Sequence, residues 1–323
     1  MPPEPRGKPI PTESAGDPAD SVDSFLREAA AISDPGAGES LPSGRLAPGE
    51  VVGERFRIER LAGTGGMGAV YRAEDLATGG HAAIKVTGVQ SASSGQRFLR
   101  EGVVLAELSH PCIVRYIVHG LTPQGAPFLA MDWLEGEDLC QRLARSGLDV
   151  SESLSIARRV CEGLAVAHAR GVVHRDIKPS NLFLVGGAPA ATKIIDFGVA
   201  RLEAGSTTLT RPGTALGTAG YMAPEQAREA ADVDGRADFF ALGCVLYECL
   251  TGRPAFGGRP AAVLVKVLRE NPQRPSELRA GLGDSVDALV ARLLAKDREA
   301  RPRDAAEVQR ALDALEPGPR DAA

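Results

Sequence analysis

The sequence predicts an α+β chain of two lobes, a small β-rich one followed by a larger helical one, with a cleft between them. Two observations carry this. Short β-type runs dominate from Arg55 to about Trp133: Phe56 to Ile58, Ala69 to Arg72, Ala82 to Val86, Ile113 to Val118 and Phe128 to Met131. One helical segment, Ser94 to Leu108, interrupts them. From Leu139 onward the apolar period changes from two to the 3.6 of a helix: Leu154, Ala157, Cys161, Leu164, Ala165 and His168 share one face. Asp149 and Glu152 are placed to cap that helix. Val286, Leu289, Val290, Leu293 and Leu294 mark another helix near the end.

The chain has 323 residues, of which 43% are hydrophobic, an ordinary share for a globular protein. Residues 1–52 are rich in Pro, Gly, Ser and acids and read as a disordered leader. Residues 53–134 form the small lobe, 135–316 the large one, and 317–323 a polar tail. The net charge of -5 argues against nucleic acid as the main partner, because phosphate binding shows as a basic field. No stretch approaches the roughly 18 apolar residues of a membrane helix, and the first residues lack the apolar core of a signal peptide. A cytoplasmic protein is expected. Five cysteines without a C-x-x-C pair read as reduced, mostly buried thiols rather than a disulfide framework or zinc site.

Gly63, Gly65, Gly66, Gly68 and Val70 fit the spacing G-x-G-x-x-G-x-V between two strand-like runs. Glycines let backbone amides approach phosphate oxygens without a Cβ in the way. A dinucleotide fingerprint would open a helix after them; here Ala69 to Arg72 continues as a strand. Lys85 ends an apolar strand, where a cation is costly without an anionic partner. ATP phosphates and Glu101, on the following helix, are the two candidates.

His174-Arg175-Asp176 with Asn181 fits H-R-D-x-x-x-x-N, and Asp196-Phe197-Gly198 and Ala223-Pro224-Glu225 follow in order. The ordered set resembles the eukaryotic-type (Hanks-type) protein kinase family from about Arg55 to Leu315. Gly217 to Gln226 looks especially like its bacterial serine/threonine branch. The resemblance implies the bilobal protein kinase fold, with an antiparallel sheet and one regulatory helix in the N-lobe and a mainly helical C-lobe.

It also implies roles. Lys85 would hold the α- and β-phosphates of ATP and Glu101 would orient it. Asp176 would accept the substrate hydroxyl and take its proton, and Lys178 would neutralise the moving phosphoryl group. Asn181 and Asp196 would bind Mg²⁺, with Mn²⁺ as a substitute. Val70, Ala83 and Phe183 would line the adenine pocket, Met131 would be its gatekeeper, and Asp132 to Leu134 the hinge. Asp138 would meet the ribose. Leu105, Tyr116, His174 and Phe197 would stack as a spine. Asp238 would anchor the catalytic loop, and Glu225 with Arg301 would form a buried ion pair.

Lys178 and Thr218 are the marks of serine/threonine rather than tyrosine specificity in this family. Arg175 would read phosphorylation of the segment Asp196 to Glu225, with Thr210 or Thr214 as the modified residue. Gly102, next to Glu101, would loosen the regulatory helix. Ala82 stands where valine is usual, and Val185 to Thr192 should make a surface excursion. Partners would be protein substrates, and pairing of two chains through the N-lobe is compatible with the resemblance. The competing reading is a pseudokinase-like scaffold that binds ATP without transfer; every catalytic position is nevertheless filled.

Overall fold

The structure is a computed structural model, and it describes residues 45–65, 68–87, 107–197, 218–228, 230 and 232–315. Alternating apolar runs pair into a six-stranded antiparallel sheet in the order β1-β2-β3-β4-β6-β5. Its strands are β1 (Val51–Val52), β2 (Phe56–Gly65), β3 (Gly68–Asp75), β4 (His81–Val86), β5 (Tyr116–Leu121) and β6 (Pro127–Asp132). One face of this sheet buries Phe56, Ile58, Tyr71, Ile84, Phe128 and Ala130 as a core of its own. Phe56 meets Phe128 edge-on, with ring centroids 6.4 Å apart.

The N-lobe begins earlier than composition suggests. Leu46 is buried in the sheet's core, and its N–H donates to the Tyr71 hydroxyl at 3.2 Å. Val52 is fully buried. Residues 45–52 therefore belong to the lobe rather than to a leader. The expected strand Ile113 to Val118 also shifts: β5 starts at Tyr116, and Ile113 instead makes an isolated parallel bridge to Ile194. Leu108 and Ile113 pack into the C-lobe core, so the division between lobes is not a single cut at residue 134. Most of the expected helix Ser94 to Leu108, including Gly102 and Leu105, lies outside the described residues.

The C-lobe has a small sheet of β7 (Gly136–Asp138), β8 (Leu182–Val185) and β9 (Thr192–Ile194) beside its helices. These are α1 (Leu139–Arg145), α2 (Val150–His168), α3 (Pro224–Ala227), α4 (Arg236–Thr251), α5 (Pro260–Arg269), α6 (Pro275–Leu278), α7 (Asp284–Leu293) and α8 (Ala305–Asp313). Helix α2 starts with the expected reciprocal cap: Asp149 accepts from Glu152 N–H, and Glu152 accepts from Asp149 N–H. Helix α4 is buried from Ala237 to Tyr247, which makes it the central rod of the lobe. Between β8 and β9 the chain turns through Gly186 and Gly187, both at positive φ, and a 3-10 turn at Pro189–Ala191. This is the expected excursion.

The Arg301 guanidinium is fully buried and forks onto both oxygens of Glu225 at 2.7 and 2.8 Å. Its remaining N–H groups reach the carbonyls of Ala295 and Arg236 at 2.8 and 3.1 Å. Bidentate geometry and extra acceptors offset the desolvation of the two charges. Glu225→Ala leaves the cation stranded, so a loss of about 3–5 kcal/mol is expected. Urea unfolding followed by far-UV circular dichroism measures it, and a loss under about 1 kcal/mol would show the pair to be dispensable.

Candidate active site

The catalytic loop is held from below by one carboxylate. Asp238, fully buried in the first turn of α4, accepts from the N–H of His174 at 2.8 Å and of Arg175 at 2.7 Å. Its Oδ2 also meets His168 Nε2 at 2.8 Å. Arg175 sits at φ 64, a left-handed conformation that costs a non-glycine residue about 1–3 kcal/mol unless its surroundings hold it. Gln226 completes the hold by donating to the Arg175 carbonyl at 2.9 Å. This turn delivers Asp176.

Asp176 is 7% exposed and faces two donors. Lys178 Nζ lies 3.0 Å from its Oδ2, and Asn181 Nδ2 donates to Oδ2 at 3.2 Å and to its carbonyl at 2.8 Å. Across the cleft Lys85 pairs with Asp196, which also has positive φ, at 57°. Burial opposes the charge of Asp196, but Lys85 and Lys178 together hold its carboxyl below the ordinary range. His174 Nδ1 accepts from Asp176 N–H at 3.2 Å while Nε2 faces the Ile195 carbonyl at 3.3 Å. That pattern requires the Nε2–H tautomer, and burial lowers the ring's pKa, which keeps it neutral. Phe197 leans on His174 with ring centroids 4.6 Å apart.

The nucleotide-side residues are arranged by strand register. Gly63 faces Val70, and Gly65 faces Gly68 across the β2–β3 hairpin. A Cβ on Gly68 would sit 2.0 Å from the Val86 carbonyl oxygen, and its φ is 134°, so glycine is required there for the close approach to β4. Val70 opposes Lys85, Ala83 opposes Met131, and Ala82 opposes Asp132. Phe183 lies buried in β8 opposite Asp138. Tyr116, Met131, Leu108 and Phe197 line one small cavity behind the strand, with Asp196 at its edge.

Some expectations change. Asp138, expected at the ribose, is 1% exposed and caps α1, accepting from Gln141 N–H at 2.8 Å. Among the described residues Lys85 meets Asp196; Glu101 lies outside them, as do Gly66, Thr210 and Thr214. Thr218 opens the 3-10 turn Thr218–Tyr221. Asp132 has its carboxylate on Arg115. Glu137, near the cleft, is paired with Arg145 at 2.6 Å. Sequence reasoning did not find His168 or Gln226 as supports of the loop. Their partners are 70 and 51 residues away, a separation that no local pattern encodes.

The donor set suits a hard cation. Asn181 offers an amide oxygen, its nitrogen being committed to Asp176, and Asp196 offers an ionised carboxylate beside it in the cleft. All-oxygen ligation is the preference of Mg²⁺, which keeps several waters. The residues present therefore fit the ion that the motif implies.

Known proteins bear on the site at this point. The protein kinase domain family matches residues 56–312. Serine/threonine-protein kinase PknB of Mycobacterium leprae is 37% identical over 264 residues, 79% of this chain and 42% of the relative. A probable serine/threonine-protein kinase of Streptomyces coelicolor is 36% identical over 273 residues, 81% of this chain and 40% of the relative. One from Corynebacterium efficiens is 36% identical over 280 residues, 82% and 42%. The chain thus spans about two fifths of the length of these curated relatives.

Asp238→Ala removes two charge-assisted backbone bonds, each about 1.5–3 kcal/mol. Amide hydrogen exchange at His174 and Arg175 should accelerate at least about tenfold while α4 stays protected. Unchanged exchange at these two amides would mean that the turn is held by something else.

Proposed function

Because the chain belongs to the protein kinase domain family, we propose that it transfers the γ-phosphoryl group of ATP to serine and threonine hydroxyls of proteins. The observation that carries this reading is the convergence of Asp176, Lys178, Asn181 and Asp196 on the C-lobe side of the cleft, with Lys85 reaching Asp196 from the N-lobe sheet. That set includes a candidate base, a fixed cation, two oxygen ligands for a metal and a phosphate-holding lysine, the parts in-line phosphoryl transfer uses. Serine/threonine-protein kinases are also what the curated relatives are called.

The proposed chemistry assigns each group a task. Asp176 Oδ accepts the hydrogen bond of the incoming hydroxyl and takes its proton as the new P–O bond forms and the β–γ bridging bond breaks. Lys178 sits 3.0 Å from that carboxylate, where a fixed cation neutralises charge on the moving phosphoryl oxygens. Lys85 holds the phosphates that stay with the leaving nucleotide. Asn181 and Asp196 would hold Mg²⁺, which would supply charge neutralisation on the phosphate oxygens. The Gly63–Gly68 hairpin covers the phosphates, and the adenine lies between Val70 and Ala83 above and Phe183 below, beside Met131 and the 132–134 hinge.

Protein substrates follow from the family. Pairing of chains through the N-lobe and residence in the cytoplasm extend the proposal by resemblance alone. Among the described residues no helix is long and apolar enough to cross a membrane.

The test is incubation of the purified chain with radiolabelled ATP, Mg²⁺ and a generic basic protein, beside Asp176→Asn and Lys85→Met. Label on serine and threonine is expected, with each variant slower by at least about a hundredfold. Bound ATP with no label under any condition would favour the scaffold reading.

Phosphorylation of the activation segment is part of the same proposal. After self-incubation with ATP, mass spectrometry should find phosphate on Thr210 or Thr214, and the Asp176→Asn protein should carry none. An active wild-type enzyme without phosphate on either threonine would refute this switch and leave the kinase reading intact.

A further inference from the structure

Away from the cleft, the fold brings together three side chains of a kind not used in phosphoryl transfer. His110, Cys112 and Glu162 each offer one ligand atom, and these atoms all lie within 4.8 Å of one another. Two come from the loop ahead of β5 and the third from α2. The Cys112 thiol donates to Glu162 Oε2 at 3.0 Å, and the Cys112 backbone N–H donates to His110 Nδ1 at 3.2 Å. The two segments meet this closely because residue 163 is glycine. A Cβ there would lie 3.4 Å from the Cys112 carbonyl oxygen and 2.7 Å from Ile194 Cδ1.

Thiolate, imidazole and carboxylate together are a zinc donor set. With bonds of about 2.0–2.3 Å, tetrahedral ligand atoms stand about 3.5 Å apart. The three groups need to close by only about an ångström to reach that spacing. Cys112 is fully buried, whereas His110 and Glu162 are half-buried, so the cluster has a dry sulfur at its base and a wet rim. That leaves access for a water as fourth ligand.

We propose that His110, Cys112 and Glu162 bind a divalent cation of the zinc class. The ion takes the place of the thiol proton: an S–metal bond forms, the S–H bond breaks, and the proton leaves to solvent. Burial and then the hydrogen bond to Glu162 push the thiol up to about 12, so binding is coupled to that release. Arg159, which donates to Glu162 Oε2 at 3.0 Å, and Lys193 face the same sulfur and temper the affinity.

The site is coupled to the cleft through backbone. Ile194 N–H donates to the Cys112 carbonyl at 2.7 Å, and Val114 N–H donates to the Ile194 carbonyl at 2.9 Å. Ile194 is two residues before Asp196. An ion at Cys112 would tie β9, and the loop that grips it, to α2. The inference does not depend on the proposed kinase reaction.

Cobalt(II) is the probe. The full chain, stripped with chelator and kept in excess Mg²⁺ to fill hard-oxygen sites, is titrated with Co²⁺. The expected result is a sulfur-to-cobalt charge-transfer absorption that saturates at one equivalent and is abolished by Zn²⁺. Cys112→Ser should eliminate it, and His110→Gln and Glu162→Gln should each weaken binding at least about tenfold. Melting curves in chelator establish that each variant folds; if Cys112→Ser does not, the other two decide. Absence of the band in the wild type, its persistence in Cys112→Ser, or unchanged affinity in both other variants would overturn the proposal.

Discussion

A single buried carboxylate, that of Asp238, sets the geometry on which the cleft depends. Left-handed backbone at an arginine is not a conformation the local sequence would choose. It exists because two consecutive N–H groups point at one anion fixed in the first turn of a buried helix. Once Arg175 is held, Asp176 must enter the cleft, and its neighbours follow: Lys178 and Asn181 meet its carboxylate from the same short loop. His174, pointing the other way, accepts the Asp176 N–H and faces the Ile195 carbonyl, so the loop and the strand before Asp196 share one imidazole. Helix α4 keeps this anion in place because its flanking residues are apolar and buried along most of its length.

The lower lobe is braced at a second point by Arg301 and Glu225. Here the logic is reversed. Asp238 neutralises backbone dipoles, whereas Glu225 neutralises a full cation, and Arg301 uses its remaining donors on carbonyls of two separate segments. The Arg301 guanidinium also lies 5.0 Å from the Phe240 ring centroid, and Phe240 stacks parallel on Phe256 at 6.0 Å. Charge, hydrogen bonds and ring faces thus converge on one side chain that joins α3, α4 and the segment before α8.

Much of this was legible in the sequence because catalytic groups are concentrated in short, contiguous motifs. The loop from His174 to Asn181 places four functional groups within eight residues, and spacing alone identifies it. The short β-type runs located β4 and β6 within a residue and β3 within three. What escaped was set by distant contacts. Leu46 looks like part of a Pro- and Gly-rich leader until the Tyr71 hydroxyl captures its N–H. Ile113 has a strand-former's side chain, but its backbone is drawn to Ile194 in the other lobe. The cluster of His110, Cys112 and Glu162 has no motif at all, because its ligands are separated by about fifty residues of chain.

The pairing of Lys85 with Asp196 gives the cleft a property that neither side chain has alone. The site's own cation and anion already satisfy each other. A dication that arrives by itself meets a carboxylate screened by an ammonium, and a polyphosphate that arrives by itself meets an ammonium screened by a carboxylate. Only a neutralised pair of guests offers both residues a replacement in the same event. On the proposed kinase reading, metal and nucleotide arriving together would give Asp196 and Lys85 new partners in one event.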